Sequence, residues 1–269
     1  MTYSLIWLPK VLADAGLKVA LQPGWETRGR RDMTSPQGVV CHHTGTPKKD
    51  VNMPTLRLLT EGRSDLPGPL AQLGLGRDGT FYVIAAGVAN HAGAGSWKGL
   101  SGNNQVIGIE AENTGIGDPK SPLYDPWPAV QLDAYQRGVA AILKHLGKEP
   151  IMCCGHKEWA PTRKIDPHTL DMNKFRAEVG AIMKGTVAPP KPIPGKDPVT
   201  NRPTLRRGSP KNTIDLVKEL QKKLGLTGSK IDGDFGPTTE AAVRRFQRAH
   251  NMDADGIVGP ATWAALDKT

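Results

Sequence analysis

The chain has 269 residues, 38% of them hydrophobic, which is enough for a buried core in two domains or one large one. Its three cysteines exclude a disulfide framework and indicate synthesis in a reducing compartment. The formal net charge of +9 favours an anionic partner: nucleic acid, a membrane surface, or a cell wall that carries carboxylates and phosphates.

The N-terminus and the apolar runs bear on where the protein acts. Residues 1–7 lack the basic segment and apolar stretch of a signal peptide. No apolar run is long enough to span a bilayer. We therefore expect synthesis in the cytoplasm without a signal peptide, and no membrane insertion. Action outside the cytoplasm would require a separate route of release.

Hydrophobic periodicity predicts a first domain over residues 1–184. Its N-terminal extension, residues 1–33, has a helix over Leu5–Leu12 and a strand over Leu17–Leu21. We expect this extension to cover the main sheet; the alternative is an edge that contacts a cell wall. Further strands are predicted at Gln37–His43, Phe81–Ala85, Val106–Asn113 and Ile151–Cys154, and helices at Pro54–Glu61, Ala129–Leu146 and Asp171–Met183.

A proline-rich stretch follows the first domain. Residues 185–203 include five prolines over positions 189–198. Such a composition is typical of an extended, semi-rigid spacer rather than of a packed element. We therefore expect a linker at 185–203 and a second domain at 204–269.

The second domain contains an internal repeat. The motif Asp232–Thr239 recurs as Asp255–Thr262, and each copy has a glycine turn and a proline at the start of a predicted helix. Helices are predicted at Ile214–Leu224, Thr238–His250 and Pro260–Leu266. No catalytic cluster stands out in this segment, so the pattern indicates a three-helix binding module.

Chemically active side chains stand at the ends of three predicted strands. His42 ends one apolar run, His156 follows another, and Asp166 lies in the loop after His156. If these two runs are neighbouring strands, the three residues can supply the three protein ligands of a catalytic zinc. Glu110 ends a third strand and can act as base, and Lys164 can stabilise an oxyanion. The combination predicts a site for metal-assisted amide hydrolysis.

Neighbouring residues leave alternatives open. Glu112 shares a strand face with Glu110 by the period of two, so either carboxylate can be the base. His43 points away from His42 and is expected to pack inside the protein. Cys154 can lie near the metal or form a buried thiol beside it. The candidates for contact with a substrate are His91, Trp97, Glu112 and Asn113.

Two sets of motifs resemble known families. The segments 40–44, 107–110, 155–156 and 163–167 (VCHHT, IGIE, GH and RKIDP) resemble the zinc-dependent N-acetylmuramoyl-L-alanine amidases, which share a fold with the peptidoglycan recognition proteins. This likeness covers roughly Thr34 to Met183. The tail motifs DGDFG and DGIVGPATW resemble the common peptidoglycan-binding domain of wall hydrolases.

The resemblance carries expectations about fold, site and reaction. It implies an α/β fold with a mixed central β-sheet flanked by helices, and a small C-terminal three-helix domain. It implies Zn²⁺ on His42, His156 and Asp166, Glu110 and Lys164 as catalytic residues, and cleavage between N-acetylmuramic acid and L-alanine. The sequence departs from the pattern at His168, where relatives often have glycine. His168 is thus a spare ligand, a substrate contact or a surface residue.

The two modules together look like a phage endolysin for actinobacterial hosts. We expect peptidoglycan as partner, no nucleic acid, a monomer, and holin-type release from the cytoplasm. Alternatives are a non-catalytic peptidoglycan receptor of the same fold, a bacterial autolysin and a recycling amidase. A nucleic-acid-binding protein is supported by charge alone, since no recognition motif accompanies the basic residues.

Overall fold

A computed structural model describes residues 2–187, 202, 204–209, 212–250, 252 and 256–267, without the side chains of 260 and 261. The chain divides into two units, Met1–Lys191 and Pro192–Thr269. The predicted linker at 185–203 lies outside the described residues except at 185–187 and 202. Among the described residues, no helix has the length and apolar character needed to cross a bilayer.

The first unit is organised around one six-stranded sheet. The strands of this unit are β1 (Lys18–Leu21), β2 (Gly38–His43), β3 (Gly62–Arg63), β4 (Leu66–Pro67), β5 (Leu73–Leu75), β6 (Thr80–Val83), β7 (Ser96–Trp97), β8 (Leu100–Ser101), β9 (Val106–Ala111) and β10 (Cys153–Gly155). The sheet order is β1-β6-β5-β9-β2-β10, while β3-β4 and β7-β8 form separate pairs. All sheet neighbours are parallel except β5 and β6. The predicted mixed central sheet is confirmed.

The two central strands β2 and β9 are apolar along most of their length and polar at their ends. Val39, Val40, Ile107 and Ile109 are fully buried, as expected for strands covered on both faces. In the β2–β9 register, His42 lies opposite Glu110. Strand β10 pairs with β2 on its other side and leads directly into His156. Because the three strands are parallel, their polar carboxyl ends meet at one edge of the sheet.

The described residues of the first unit form five α-helices, α1 to α5, and those of the second unit form three, α6 to α8. They are α1 (Leu8–Asp14), α2 (Leu56–Glu61), α3 (Ala129–His145), α4 (His156–Trp159), α5 (Met172–Met183), α6 (Ile214–Lys223), α7 (Pro237–Ala249) and α8 (Pro260–Leu266). In α3, Tyr135, Val139, Ile142 and Leu143 are fully buried and form an apolar stripe on one side of the predicted helix. Asp171 caps α5, since its Oδ1 accepts hydrogen bonds from Asn173 N (2.9 Å) and Lys174 N (3.1 Å).

The N-terminal extension joins the sheet as an edge strand. β1 pairs in parallel with β6, so the predicted strand of the extension belongs to the main sheet. The helix predicted at Leu5–Leu12 is instead a 3₁₀ turn, Ser4–Trp7, followed by α1. Trp7 stacks on His145 of α3 with ring centroids 4.0 Å apart. Residues of the extension thus contribute to the core of the first unit.

The second unit is built from two similar halves. Gln221 Oε1 accepts a hydrogen bond from Gly233 N at 2.9 Å, and Gln247 Oε1 accepts one from Gly256 N at the same distance. Both glycines have positive φ, 81° and 75°, which explains why the repeated turn needs glycine. Asp255, in the second copy of the motif, lies outside the described residues. The apolar core of this unit is Leu205, Val217, Leu220, Phe235, Val243, Val258, Trp263 and Leu266.

Candidate metal centre

Three predicted ligands meet at the carboxyl edge of the sheet. His42 Nδ1 lies 2.9 Å from His156 Nδ1, and Asp166 Oδ2 lies 3.0 Å and 3.1 Å from these two nitrogens. The His42 and His156 side chains are 1% and 3% exposed, and that of Asp166 is 13% exposed. Two imidazole nitrogens and one carboxylate oxygen are a donor set that zinc prefers.

Hydrogen bonding on the far side of His156 is compatible with a metal at this point. Nε2 of His156 lies 2.9 Å from the carbonyl oxygen of Ala92, which can only accept a hydrogen bond. Nε2 therefore carries the proton, and in the neutral ring Nδ1 keeps its lone pair. That lone pair faces the Asp166 oxygen at 3.1 Å, a repulsive arrangement that a bound cation relieves. The residues present fit a metal ion.

Glu110 lies beside this cluster. Its Oε1 is 3.9 Å from His42 Nδ1. Its side chain is 16% exposed, while Oε2 is buried and has no hydrogen-bond partner among the described residues. Burial, reinforced by the charges of Asp166 and Glu112, raises the pKa of Glu110 to about 8. A carboxylate in this position can take and return a proton.

The charges of the cluster are set mainly by burial. Burial lowers the pKa of His42 to about 4, so this ring is neutral near neutral pH. The positive charge of Lys164 acts on the same groups, because it opposes the rise in the pKa of Glu110 and adds to the lowering for His42. Lys164 itself is half-buried, in the loop between α4 and Asp166. The structure therefore brings together four of the five residues predicted for metal binding and catalysis, and the charge of the fifth, Lys164, acts on two of them.

Glu112 and Asn113, predicted as substrate contacts, are held inside the unit. Glu112 is fully buried and accepts hydrogen bonds from the hydroxyls of Thr44 (2.7 Å) and Thr55 (2.5 Å). Asn113 is 1% exposed and donates from Nδ2 to Asp125 O at 3.0 Å. These side chains tie the loop after β9 to its neighbours and offer no surface to a substrate.

Trp97 and His91, the other two such candidates, also have protein partners. Trp97 Nε1 donates to Ile151 O at 2.7 Å, and the Arg176 guanidinium lies 5.2 Å from the centre of its ring. His91 lies against His42, with Nδ1 3.1 Å from His42 Nε2. Contact of either residue with substrate stays a prediction.

His43 and His168 contact each other away from the ligand cluster. His43 Nδ1 accepts a hydrogen bond from the backbone N of His168 at 2.9 Å, and His168 Nδ1 donates to Gly115 O at 2.7 Å. His43 thus packs on the opposite strand face, as the alternation predicts. His168 anchors the loop that carries Asp166, a long-range contact that the sequence pattern did not indicate. Cys154 is 1% exposed and lies in an apolar cluster with Val40 and Trp159.

The hydroxyl of Tyr135 is a positioning group that periodicity alone did not reveal. It accepts a hydrogen bond from His42 N at 2.9 Å and lies 3.1 Å and 3.0 Å from the carbonyl oxygens of His42 and Ile109. The stripe on α3 predicts Tyr135 only as a core residue. A buried tyrosine hydroxyl usually has a hydrogen-bond partner, so the burial of Tyr135 predicted in the sequence could have indicated a polar contact at its hydroxyl.

Replacing Tyr135 with Phe is expected to lower the free energy of unfolding by about 1–3 kcal/mol, because the buried hydrogen bonds of its hydroxyl with the backbone of His42 and Ile109 are lost. Denaturant unfolding of the full chain measures the loss. The matched control is Tyr124→Phe in an outer loop, expected to change stability by no more than about 0.5 kcal/mol. Equal stability of the two variants would contradict a positioning role for the Tyr135 hydroxyl.

Comparison with known families agrees with this site. The family model described as N-acetylmuramoyl-L-alanine amidase matches residues 32–169, slightly more than half of the chain. The chain belongs to the N-acetylmuramoyl-L-alanine amidase family. The matched range of this amidase-family chain includes all five residues of the candidate site. A second model, described as a peptidoglycan binding domain, matches residues 212–266.

Individual relatives of this amidase-family chain match shorter segments. An uncharacterised protein of Kitasatospora aureofaciens is 42% identical over 69 residues, which cover 25% of this chain and 58% of that protein. The zinc D-Ala-D-Ala carboxypeptidase of Streptomyces albus G is 48% identical over 65 residues, 22% of this chain and 24% of that enzyme. The chain thus spans less than two thirds of either relative.

Solved structures include a crystal structure of an AmpD derivative. It is 24% identical to this chain, with a TM-score of 0.46, and the match covers 66% of this chain and 99% of that one.

Proposed function

We propose that this protein hydrolyses the amide bond between N-acetylmuramic acid and L-alanine in bacterial peptidoglycan, with Zn²⁺ as cofactor. The observation that carries the proposal is the meeting of His42 Nδ1, His156 Nδ1 and Asp166 Oδ2 within 3.1 Å of one another, beside Glu110. Membership of the amidase family supports the choice of bond. The match to a peptidoglycan binding domain supports the choice of polymer.

His42, His156 and Asp166 would hold the metal. Bound there, Zn²⁺ would polarise the scissile carbonyl and lower the pKa of a water molecule. The side chains of Asp166 and Glu110 keep 13% and 16% of their surface exposed, whereas His42 is closed off. We infer that substrate approaches from the side of the two carboxylates.

Glu110 and Lys164 would carry the proton and charge changes of the reaction. Glu110 accepts a proton from the attacking water and returns it to the amine of L-alanine as that amine leaves. Oε2 of Glu110, buried and without a hydrogen-bond partner in the described part of the chain, is the atom that we assign to this transfer. The ammonium of Lys164 stabilises the negative charge that develops on the carbonyl oxygen during attack.

The second unit would hold the enzyme on its polymer. A binding module joined by a proline-rich spacer raises the effective concentration of the catalytic unit at the wall. We infer a monomer, because each unit carries its own core and the candidate site uses residues of the first unit alone.

Mass spectrometry of digested cell walls tests the reaction. Zinc-loaded protein is expected to release free stem peptides that begin at L-alanine and to leave intact glycan strands. The same preparation stripped of zinc should release none. Cleavage between sugars, or within the stem peptide, would contradict the proposed bond. Binding to walls without any cleavage would favour a non-catalytic receptor.

The biological role that we propose is lysis of a bacterial host by a phage, as an endolysin. The joining of an amidase-family unit to a peptidoglycan-binding unit in one chain supports this role. Release through a holin-type pore is the expected route. Bacteria that express the protein should therefore lyse only after their membrane is permeabilised. Lysis without permeabilisation would contradict holin-dependent release.

A further inference from the structure

The loop that precedes β7 supplies hydrogen-bond partners to both ligand histidines. His91 Nδ1 lies 3.1 Å from His42 Nε2, and the two rings meet edge to face at 88°. The next residue, Ala92, points its carbonyl oxygen at His156 Nε2, 2.9 Å away. Two consecutive residues of one loop therefore contact the outer nitrogens of the two imidazoles whose inner nitrogens face Asp166.

The direction of each hydrogen bond is decided by two backbone carbonyl oxygens, of Val106 and Ala92, which can only accept. His91 Nε2 lies 3.1 Å from Val106 O, a carbonyl that can only accept, so this nitrogen carries the proton. In neutral His91, Nδ1 is then an acceptor. His42 Nε2 must donate to it, and His42 Nδ1 is left with its lone pair. His156 reaches the same state by donating to Ala92 O.

We propose that His91 and the Ala92 carbonyl fix both ligand histidines as Nε2–H tautomers, so that both Nδ1 lone pairs face one point before metal arrives. His91 is then a positioning residue that acts through His42, not a substrate contact. The inference rests on the metal centre of the proposed function. It adds the means by which the metal-free chain prepares that centre.

The loop is anchored as this role requires. Asn103 Oδ1 accepts hydrogen bonds from His91 N (3.2 Å) and Ala92 N (2.7 Å). Arg163 donates to the carbonyl oxygens of Ala92, at 2.7 Å, and Ala94. The Ala92 carbonyl is therefore held by Arg163 on one side while it accepts from His156 on the other. These contacts fix the two acceptors on which the tautomers depend.

Strand β9 is shaped to receive the His91 ring. A Cβ atom added at Gly108 would lie 2.5 Å from His91 Cγ, too close for any side chain. Glycine at this position lets the imidazole lie flat on the strand and reach Val106 O. Both ring nitrogens of His91 are engaged within the protein, which leaves neither for a substrate.

Two variants of equal shape separate hydrogen bonding from packing. In His91→Asn, the amide oxygen can replace Nδ1 as acceptor for His42; in His91→Leu, a side chain of the same size offers no acceptor. We expect His91→Leu to weaken zinc binding by about 10- to 100-fold, and His91→Asn to restore most of the loss. Competition with a chelator measures the affinity. Asn90→Ala, in the same loop but bonded to Pro67 O, is the control and should bind zinc as the wild type does.

The tautomers of the metal-free wild type give a second readout. Imidazole ¹⁵N chemical shifts should show His42 and His156 protonated at Nε2 and bare at Nδ1. A proton on Nδ1 of His42 would overturn the inference, as would equal zinc affinity of the Leu variant and the wild type. Neither zinc affinity nor the ¹⁵N shifts depend on hydrolysis. A protein that shows these tautomers but does not hydrolyse cell walls would therefore contradict the proposed reaction and leave the role of His91 intact. If His91→Leu does not fold, the ¹⁵N shifts of the wild type still decide.

Discussion

Replacement of Glu110 with Gln is expected to slow wall hydrolysis by about 10²- to 10⁴-fold while zinc remains bound, because an amide of the same shape cannot take the proton of the attacking water. Oε2 of Glu110 is buried with no hydrogen-bond partner among the residues that the structure describes, and Oε1 lies 3.9 Å from His42 Nδ1. The group is thus close to the ligands yet free to exchange a proton. Single-turnover release of stem peptides and metal content of the purified variant are the measurements.

The matched control is Glu112→Gln, two residues along the same strand direction. Glu112 is fully buried and accepts from the backbone N of Thr55 (3.2 Å) as well as from the hydroxyls of Thr44 and Thr55. An amide group there would face one of these donors with its own N–H, so we expect a loss of about 1–3 kcal/mol in stability. The hydrolysis rate per folded molecule should stay within a few-fold of the wild type, because Glu112 contributes to stability and not to proton transfer. The reverse pattern, with Glu112→Gln inactive and Glu110→Gln active, would make Glu112 the base.

Removal of a ligand has the second large expected effect. His156→Ala should lose stoichiometric zinc and, with it, detectable hydrolysis, because two protein ligands are too few for a catalytic zinc. Zinc at 100 times its dissociation constant should stabilise the wild type by about 2.7 kcal/mol and the variant by far less. Thermal unfolding with and without zinc measures the difference.

His43→Ala provides the comparison for this variant. His43 neighbours His42 in sequence but accepts from His168 N on the opposite side of β2. We expect it to keep its zinc and most of its activity, because His168 Nδ1 still ties the Asp166 loop to Gly115 O. Loss of zinc in His43→Ala with retention in His156→Ala would contradict the assignment of ligands.

The positions of the five site residues were largely predictable from local pattern. Apolar runs that end in His42, Glu110 and just before His156 predict parallel strands with their carboxyl ends together, and the structure pairs β2 with β9 and β10. The choice between Glu110 and Glu112 was not predictable in this way, because both share one strand face. It depends on the register that sets Glu110 opposite His42, while Glu112 lies beyond the end of β9, under Thr55.

Contacts made by loops were beyond the reach of the sequence pattern. His91 reaches His42 across 49 residues of chain, and His168 reaches His43 across 125. Periodicity carries no information about such distant pairs, since they are decided when the loops pack. The same holds for the direction of hydrogen bonds at His91, which depends on Val106 O. The sequence marked His91 as a candidate for contact with a substrate but gave no sign of the tautomers that its loop controls.

The most direct test of the metal centre is diffraction from zinc-loaded crystals at energies above and below the zinc absorption edge. We predict one anomalous peak about 2.0–2.2 Å from His42 Nδ1, His156 Nδ1 and a carboxylate oxygen of Asp166. Zinc bound through Nε2 of either ring, or a peak at His43 or His168 with none between the three predicted ligands, would contradict the proposed centre.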